Sequence, residues 1–331
     1  MTVEKLALAR LPTPLERSDA LDRLVGTAVW VKRDDLTAAG AAGNKIRKLE
    51  YLLADARRKR ATVVVTCGGQ QSNHARATAI VAAELGLRSL LLLRTANPAA
   101  PPPIVGNLLI DYLVGADVRF ITPGQYRERD VLMAEAAEEL RARGEVPYVV
   151  PEGGSNGLGS LGYVDAMSEV RRQLDAGACG TLREFDTVVH ACGSGGTSAG
   201  VALGIARHGV GRTARSIAVC DDRAYFEPVI ARIVEEASSL DASLDRSVRP
   251  MVHDEYKGPA YGLASAEQLA FIVEVARKTG LLLDPVYTGK ALFGLSRFEP
   301  KPSSALFLHT GGLPGLLAQS EAFAPIVGPR H

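Results

Sequence analysis

A lysine stands where lysines are ordinarily penalised. In Ala42-Gly43-Asn44-Lys45-Ile46-Arg47-Lys48-Leu49-Glu50, a Gly-Asn pair makes a turn and a helical pattern follows, with Ile46, Leu49, Leu53 and Ala56 at helical spacing. Lys45 thus falls in the first turn of a helix, where the macrodipole disfavours an ammonium. An amine kept neutral, or tied up as an imine, escapes that penalty. A solvated lysine at a helix start is the plain alternative. A second stretch, Cys192-Gly193-Ser194-Gly195-Gly196-Thr197, follows an apolar run and opens another helix. Its glycines let backbone N–H groups converge, the helix start adds positive potential, and Ser194 and Thr197 add hydroxyls: a phosphate cup. The same loop invites a dinucleotide reading, with Asp221 as the ribose-binding acid, so a nicotinamide oxidoreductase is the rival from another class. Against it, the fingerprint's third glycine is replaced by Ser198. No lysine follows the glycines, so this is not a Walker loop either.

Three further stretches lie at the ends of apolar runs. In Gly68-Gly69-Gln70-Gln71-Ser72-Asn73-His74, Ser72 is a good helix N-cap. Its hydroxyl and the free N–H groups around it could also receive a substrate carboxylate. Tyr261 in Gly258-Pro259-Ala260-Tyr261-Gly262 and Tyr287 in Asp284-Pro285-Val286-Tyr287-Thr288-Gly289-Lys290 are packing residues or a pair of proton shuttles flanking a substrate. His309-Thr310-Gly311-Gly312-Leu313-Pro314 enters a turn at the tip of a last run. Strand tips in a parallel sheet are where ligands bind.

The elements that must position these groups alternate. Short apolar runs at 28–32, 62–66, 89–93, 118–121 and 148–150 are interleaved with helical patterns at 73–85, 104–113 and 127–143. Residues 152–159 read as a glycine-rich bridge. A second alternation follows, with runs at 186–191, 216–220 and 304–308 and helices at 162–174, 198–207, 226–236 and 266–279. Leu11-Pro12-Thr13-Pro14-Leu15 reads as a rigid extended lead-in. Such alternation predicts two α/β lobes with doubly wound, mostly parallel sheets covered on both faces.

The totals exclude several classes. The chain has 331 residues, enough for two lobes, with 47% apolar and 23% charged residues, as in ordinary globular enzymes. A net charge of +1 gives no grip on nucleic acid. No apolar run is long enough to span a membrane. Met1-Thr2-Val3-Glu4-Lys5 lacks the plan of a signal peptide, and four scattered cysteines show no C-x-x-C pairing, so free thiols in the cytoplasm are expected. The six scattered histidines suggest no metal site.

An imine-forming lysine, a phosphate cup and a carboxylate cradle are what pyridoxal phosphate with an amino acid needs. The chain resembles the fold type II (tryptophan-synthase-β-like) pyridoxal phosphate enzymes, in the branch of 1-aminocyclopropane-1-carboxylate deaminase and D-cysteine desulfhydrase. The resemblance runs from Leu11-Pro12-Thr13-Pro14 to His309-Thr310-Gly311-Gly312. Its most specific pieces are Gly43-Asn44-Lys45-Ile46-Arg47-Lys48-Leu49-Glu50, Gln71-Ser72-Asn73-His74-Ala75-Arg76 and Asp284-Pro285-Val286-Tyr287. It implies that Lys45, not Lys32 or Lys48, is the Schiff-base lysine, and that Asn44 belongs to the cofactor site. Asn73 would bond the cofactor ring oxygen, and Gly193, Ser194, Gly195, Gly196 and Thr197 would hold its phosphate. Ser72 would meet the substrate carboxylate, and Tyr261 and Tyr287 would line the substrate face. It also implies a small lobe at 49–156 inserted into a large cofactor-binding lobe of 1–48 and 157–331, and a homodimer.

Two positions divide the branch. Cyclopropane deaminases carry Glu and Leu where this chain has Thr288 and Thr310, which is similar to the D-cysteine desulfhydrases. At least one of these threonines is expected to face the pyridine nitrogen. The implied activity is α,β-elimination from a small amino acid, D-cysteine first, giving pyruvate, sulfide and ammonia. Cyclopropane deamination, L-cysteate sulfo-lysis and a non-catalytic ligand-binding role are the alternatives. Either Lys45 or Tyr287 is the base. One departure is local: the family's Gly-Gly-Asn-Lys is Ala42-Gly43-Asn44-Lys45 here, which puts a methyl near the cofactor.

Overall fold

The computed structural model describes residues 3–328; Met1 and Thr2 of the leader reading lie outside them. The first elements are β1 (Leu15–Arg17), α1 (Asp19–Val25), β2 (Ala28–Lys32), α2 (Asn44–Arg58), β3 (Val63–Gly69), α3 (Asn73–Glu84), β4 (Arg88–Arg94) and α4 (Gly106–Leu113). Then come β5 (Asp117–Ile121), α5 (Pro123–Tyr126), α6 (Arg129–Ala142), β6 (Pro147–Val149), α7 (Gly157–Asp175), β7 (Phe185–Cys192), α8 (Gly196–His208) and β8 (Gly211–Ala218). The chain closes with α9 (Arg223–Leu240), β9 (Met251–His253), α10 (Ala266–Thr279), α11 (Thr288–Leu295), β10 (Ser304–Leu308), α12 (Leu313–Leu317) and α13 (Ser320–Val327).

Among the described residues, ten strands form two sheets. The larger runs β1-β2-β10-β7-β8-β9 and is parallel apart from β1, which pairs antiparallel with β2. The smaller runs β5-β4-β3-β6 and is parallel throughout. All strands of the smaller sheet lie between residues 63 and 149. Parallel strands need both faces covered, and their sequences show it: every residue of β3 and of β10 is buried. In the larger sheet neighbouring residues face different cores. Val188 packs among Tyr163, Val170 and Val201 of α7 and α8, while Val189 packs among Leu21 of α1, Ile272 of α10 and Leu292 of α11.

Several boundaries differ from expectation. The lead-in continues into an edge strand, β1, and α1 follows at once. The charged helix expected at 127–143 is α6, trimmed to Arg129–Ala142, and a short separate helix, α5, precedes it, opened by a Thr122–Gln125 capping box. The strand expected at 216–220 is β8, which starts at Gly211 and stops at Ala218. Helix α7 begins at Gly157, inside the expected glycine bridge, capped by the Asn156 side chain. Its glycines are contact points rather than a linker. A Cβ on Gly162 would lie 2.3 Å from the Arg47 carbonyl oxygen, and one on Gly159 2.2 Å from that of Gly154. Helices α2 and α7 therefore touch backbone to backbone.

A buried ion network locks that contact. Arg47 donates to both carboxylate oxygens of Asp34 at 2.8 Å and to Glu169 of α7 at 3.1 and 3.2 Å. Lys32 reaches Glu169 at 2.5 Å, and Tyr163 donates to Asp34 at 2.7 Å. Asp34 and Glu169 are held below the usual carboxylate range: burial opposes this, but the Arg47 and Lys32 charges win. Lys32 is thus committed to this network.

Candidate active site

Four strand tips converge on one cavity, near where β10 and β7 lead to connections on opposite sides of the larger sheet. Lys45 follows β2, Asn73 follows β3, Gly193 follows β7 and Thr310 follows β10. The cavity is lined by Asn44, Lys45, Asn73, the start of the glycine loop, Thr197, Tyr287 and Thr310.

Gly43 sets the position of Lys45. It has φ +119°, and a Cβ there would lie 2.7 Å from the Thr310 carbonyl oxygen. That carbonyl accepts from Asn44 N–H at 3.2 Å, tying the start of α2 to the turn after β10. Ala42 adopts an ordinary negative φ and is not among the cavity-lining residues, so the departure from Gly-Gly is accommodated. The Lys45 amine donates to no protein group among the described residues. Burial lowers its pKa to about 8, against the pull of Glu152. The helix start works in the same direction as burial.

The glycine loop forms the opposite wall. Gly195, the N-cap of α8, has φ +84°, and just inside the helix the N–H groups of Thr197 and Ser198 have no helical partner. Asn44 Nδ2 donates to the Thr197 hydroxyl at 3.1 Å, which leaves that hydroxyl's proton free to point into the cavity. The loop rests on Ser155, whose Oγ meets Ser194 Oγ at 2.8 Å and accepts from Gly196 N–H at 3.2 Å. Lys48 Nζ, fully buried, donates to Ser155 at 3.3 Å and to the Gly153 carbonyl at 3.1 Å.

Asn73 is oriented from behind. Its Oδ1 accepts from Asn107 at 3.0 Å and from Arg76 at 3.3 Å, which turns Nδ2 toward the cavity as a donor. Tyr261 and Tyr287 share a 2.8 Å hydroxyl–hydroxyl bond. Burial raises the Tyr261 pKa to about 12 and that of Tyr287 well above its ordinary range.

The predicted residues divide. Asn44, Lys45, Asn73, Gly193, Ser194, Gly195, Thr197, Tyr287 and Thr310 line the cavity. Tyr261 joins through Tyr287. Gly196 is set back, its N–H taken by Ser155. The Ser72 hydroxyl accepts from Ala75 N–H at 3.1 Å as an N-cap, while the N–H groups of Asn73 and His74 lack helical partners. Thr288 is the correction. It is fully buried, its hydroxyl donates to Asp284 Oδ1 at 2.7 Å and accepts from Asp284 N–H at 2.9 Å, and it does not line the cavity. Thr310 lines it, with a hydroxyl that has no protein partner among the described residues. Asp221, the acid of the dinucleotide reading, is exposed and away from the cavity. Sequence reasoning missed Ser155 and the support role of Lys48. Their only signal was the glycine-rich setting of one and the helical spacing of the other from Lys45.

The donor set suits a phosphorylated aldehyde: an unpaired amine of lowered pKa faces a helix start with two hydroxyls. Similar proteins point the same way. A family model described as pyridoxal-phosphate dependent enzyme matches residues 6–311. The chain is 40% identical over 332 residues, covering 97% of it and 81% of the relative, to a bifunctional D-cysteine desulfhydrase/1-aminocyclopropane-1-carboxylate deaminase of Arabidopsis thaliana. It is 40% identical, with 95% of each chain covered, to a D-cysteine desulfhydrase of Yersinia pestis. A solved structure of an ACC deaminase homologue superimposes with a TM-score of 0.88 at 37% identity, covering 98% of this chain and 96% of that one.

Proposed function

We propose, from the premise that this chain belongs to the pyridoxal-phosphate-dependent enzymes, that it is a lyase acting on D-cysteine to release sulfide, pyruvate and ammonia. The observation that carries the choice of reaction is that no carboxylate is among the described residues lining the cavity, while Thr310 presents its hydroxyl there. A carboxylate against the pyridine nitrogen would keep it protonated and deepen the electron sink. A hydroxyl can donate to an unprotonated nitrogen and leaves a milder one. Expelling a good leaving group from Cβ needs less carbanion stabilisation than opening a carbon ring.

Bound pyridoxal phosphate supplies a ring that stabilises negative charge at the substrate Cα. The chain's own groups do the rest. Lys45 would hold the cofactor covalently, and Ser194, Thr197 and the N–H groups opening α8 would hold its phosphate. Asn73 Nδ2 would donate to the ring oxygen. The helix start at Ser72 would take the substrate carboxylate. Between the two candidate bases, Lys45 is favoured to take the Cα proton, because an amine with a pKa of about 8 is far more readily neutral than Tyr287 is ionised. The Tyr261–Tyr287 pair, protonated at neutral pH, would deliver a proton to the departing sulfur. A small amino-acid substrate, a homodimer and a cytoplasmic setting complete the reading.

The test is a product assay run in parallel on D-cysteine, L-cysteine, D-serine, L-cysteate, β-chloro-D-alanine and the cyclopropane amino acid. Sulfide and pyruvate from D-cysteine are expected. Dominant 2-oxobutanoate would favour the cyclopropane reading, which the bifunctional relative's name supports. Activity on L-cysteate alone would keep the mechanism and discard the substrate. Bound cofactor with no turnover on any of them would leave the non-catalytic reading.

A further inference from the structure

Lys290, the third residue of α11, is fully buried, three positions beyond Tyr287. Its ammonium donates to three main-chain carbonyls: Lys257 at 2.6 Å, Ala260 at 3.1 Å and Val219 at 3.2 Å. An ammonium has three N–H groups, so the set is complete. No carboxylate joins it among the described residues. A charge held by carbonyl oxygens alone has the coordination of a small monovalent cation rather than of an ion pair.

The three carbonyls come from places that matter to the site. Val219 follows β8, and its N–H bonds the Cys192 carbonyl at 3.0 Å, next to the glycine loop. Lys257 and Ala260 belong to the loop that carries Tyr261. That loop wraps the lysine stem: Gly258 has φ +71°, and a Cβ on it would lie 3.5 Å from Lys290 Cε. Its remaining tethers are few, chiefly Gln268 Nε2 to the Tyr256 carbonyl at 2.7 Å. Without a cation, the convergent carbonyl dipoles would repel each other and release the loop.

We infer that Lys290 is a built-in monovalent cation, filling a carbonyl site that would otherwise take K⁺ or NH₄⁺ and clamping the Tyr261 loop against Tyr287 and the phosphate loop. It is a positioning residue, touching neither the cavity nor Lys45. The inference rests on the proposed function only where turnover is read; melting temperature gives a readout independent of it. The holoenzyme and its Lys290→Ala and Lys290→Met variants are to be compared in tetramethylammonium, Na⁺, K⁺, NH₄⁺ and methylammonium chlorides at constant ionic strength. Wild-type turnover and melting temperature should not distinguish these salts. Lys290→Ala in tetramethylammonium should lose about tenfold or more in turnover, as expected for lost hydrogen bonds to a charged group, and should melt earlier. Small cations should restore both, saturably, because the truncated side chain leaves room for them. Lys290→Met, which fills that room, should be impaired without rescue. A wild-type enzyme that needs a small cation overturns the inference. So does a Lys290→Ala protein that is unimpaired, that responds to no salt, or that folds in none of them. If no substrate is turned over, the salt dependence of melting still decides the matter, and the failure then belongs to the proposed function alone.

Discussion

At the scale of single residues, the Lys45 amine is the group whose removal should be most informative. Lys45→Ala is expected to abolish turnover while leaving the protein folded and able to hold cofactor through the glycine loop. Borohydride reduction of the wild-type holoenzyme should mark the peptide at Lys45. Lys48 is buried against Gly153 and Ser155, so Lys48→Ala should keep the covalent link but retain the cofactor less well. A label on Lys48 with Lys45 unmodified would reverse the assignment. Asp111 of α4 offers a second test. It is buried, neither carboxylate oxygen has a protein partner among the described residues, and burial raises its pKa to about 7 against the pull of Arg76. A carboxyl raised in the folded state binds more protons there than in the unfolded chain, so its contribution to stability falls as pH rises from about 4 to about 7. Asp111→Asn should flatten that decline in melting temperature. Identical pH profiles for the two proteins would mean the carboxyl is not perturbed.

At the scale of elements, the start of α2 is a junction that tolerates no side chain at Gly43. Gly43→Ala must relax both a φ of +119° and a Cβ placed 2.7 Å from the Thr310 carbonyl. Strain of this kind costs about 1–3 kcal/mol before any movement of Thr310. The expected result is a lower urea midpoint together with weaker cofactor retention, since the same turn carries Asn44, Lys45 and Thr310. Unchanged retention in a destabilised variant would show that the turn serves the fold and not the site. The tight α2–α7 contact explains why the end of the glycine-rich stretch, from Gly157 on, reads as a bridge in sequence and folds as the first turn of α7. Glycine density marks a linker or a close approach equally well, and only the partner backbone distinguishes them.

At the scale of the whole molecule, α4 of the smaller sheet's lobe packs against α12, and the two leave an apolar stripe uncovered. Leu109, Leu113, Leu313 and Leu317 are 42%, 74%, 51% and 67% exposed. Leucines exposed this far on contacting helices fit the proposed homodimer better than a lone surface. Sedimentation should give a dimer, and Leu113→Glu with Leu317→Glu should shift it to monomer. A wild-type monomer would remove that part of the proposal. No helix among the described residues is long and apolar enough to cross a membrane.

Much of the candidate site's lining was legible in residue order alone, because ligand sites of parallel α/β folds sit at strand tips and a strand tip is a local feature. The glycine loop, the Asn44–Lys45 turn and the Ser72–Asn73 helix start each announce themselves within a few residues. Helix α10 and strands β2 and β10 begin and end where their periodicity and flanking residues say. What a chain-local reading could not reach are the contacts made across the fold. Thr288 and Thr310 are chemically alike in sequence, yet one hydroxyl is consumed by Asp284 four residues away and the other opens into the cavity. Lys32, Lys48 and Lys290 look like surface lysines, yet each is buried, by a carboxylate network, by the seat of the glycine loop and by a ring of carbonyls. Residue type determines which bonds a group can make. Which partner arrives, and whether water is excluded when it does, was decided only when distant segments closed over it.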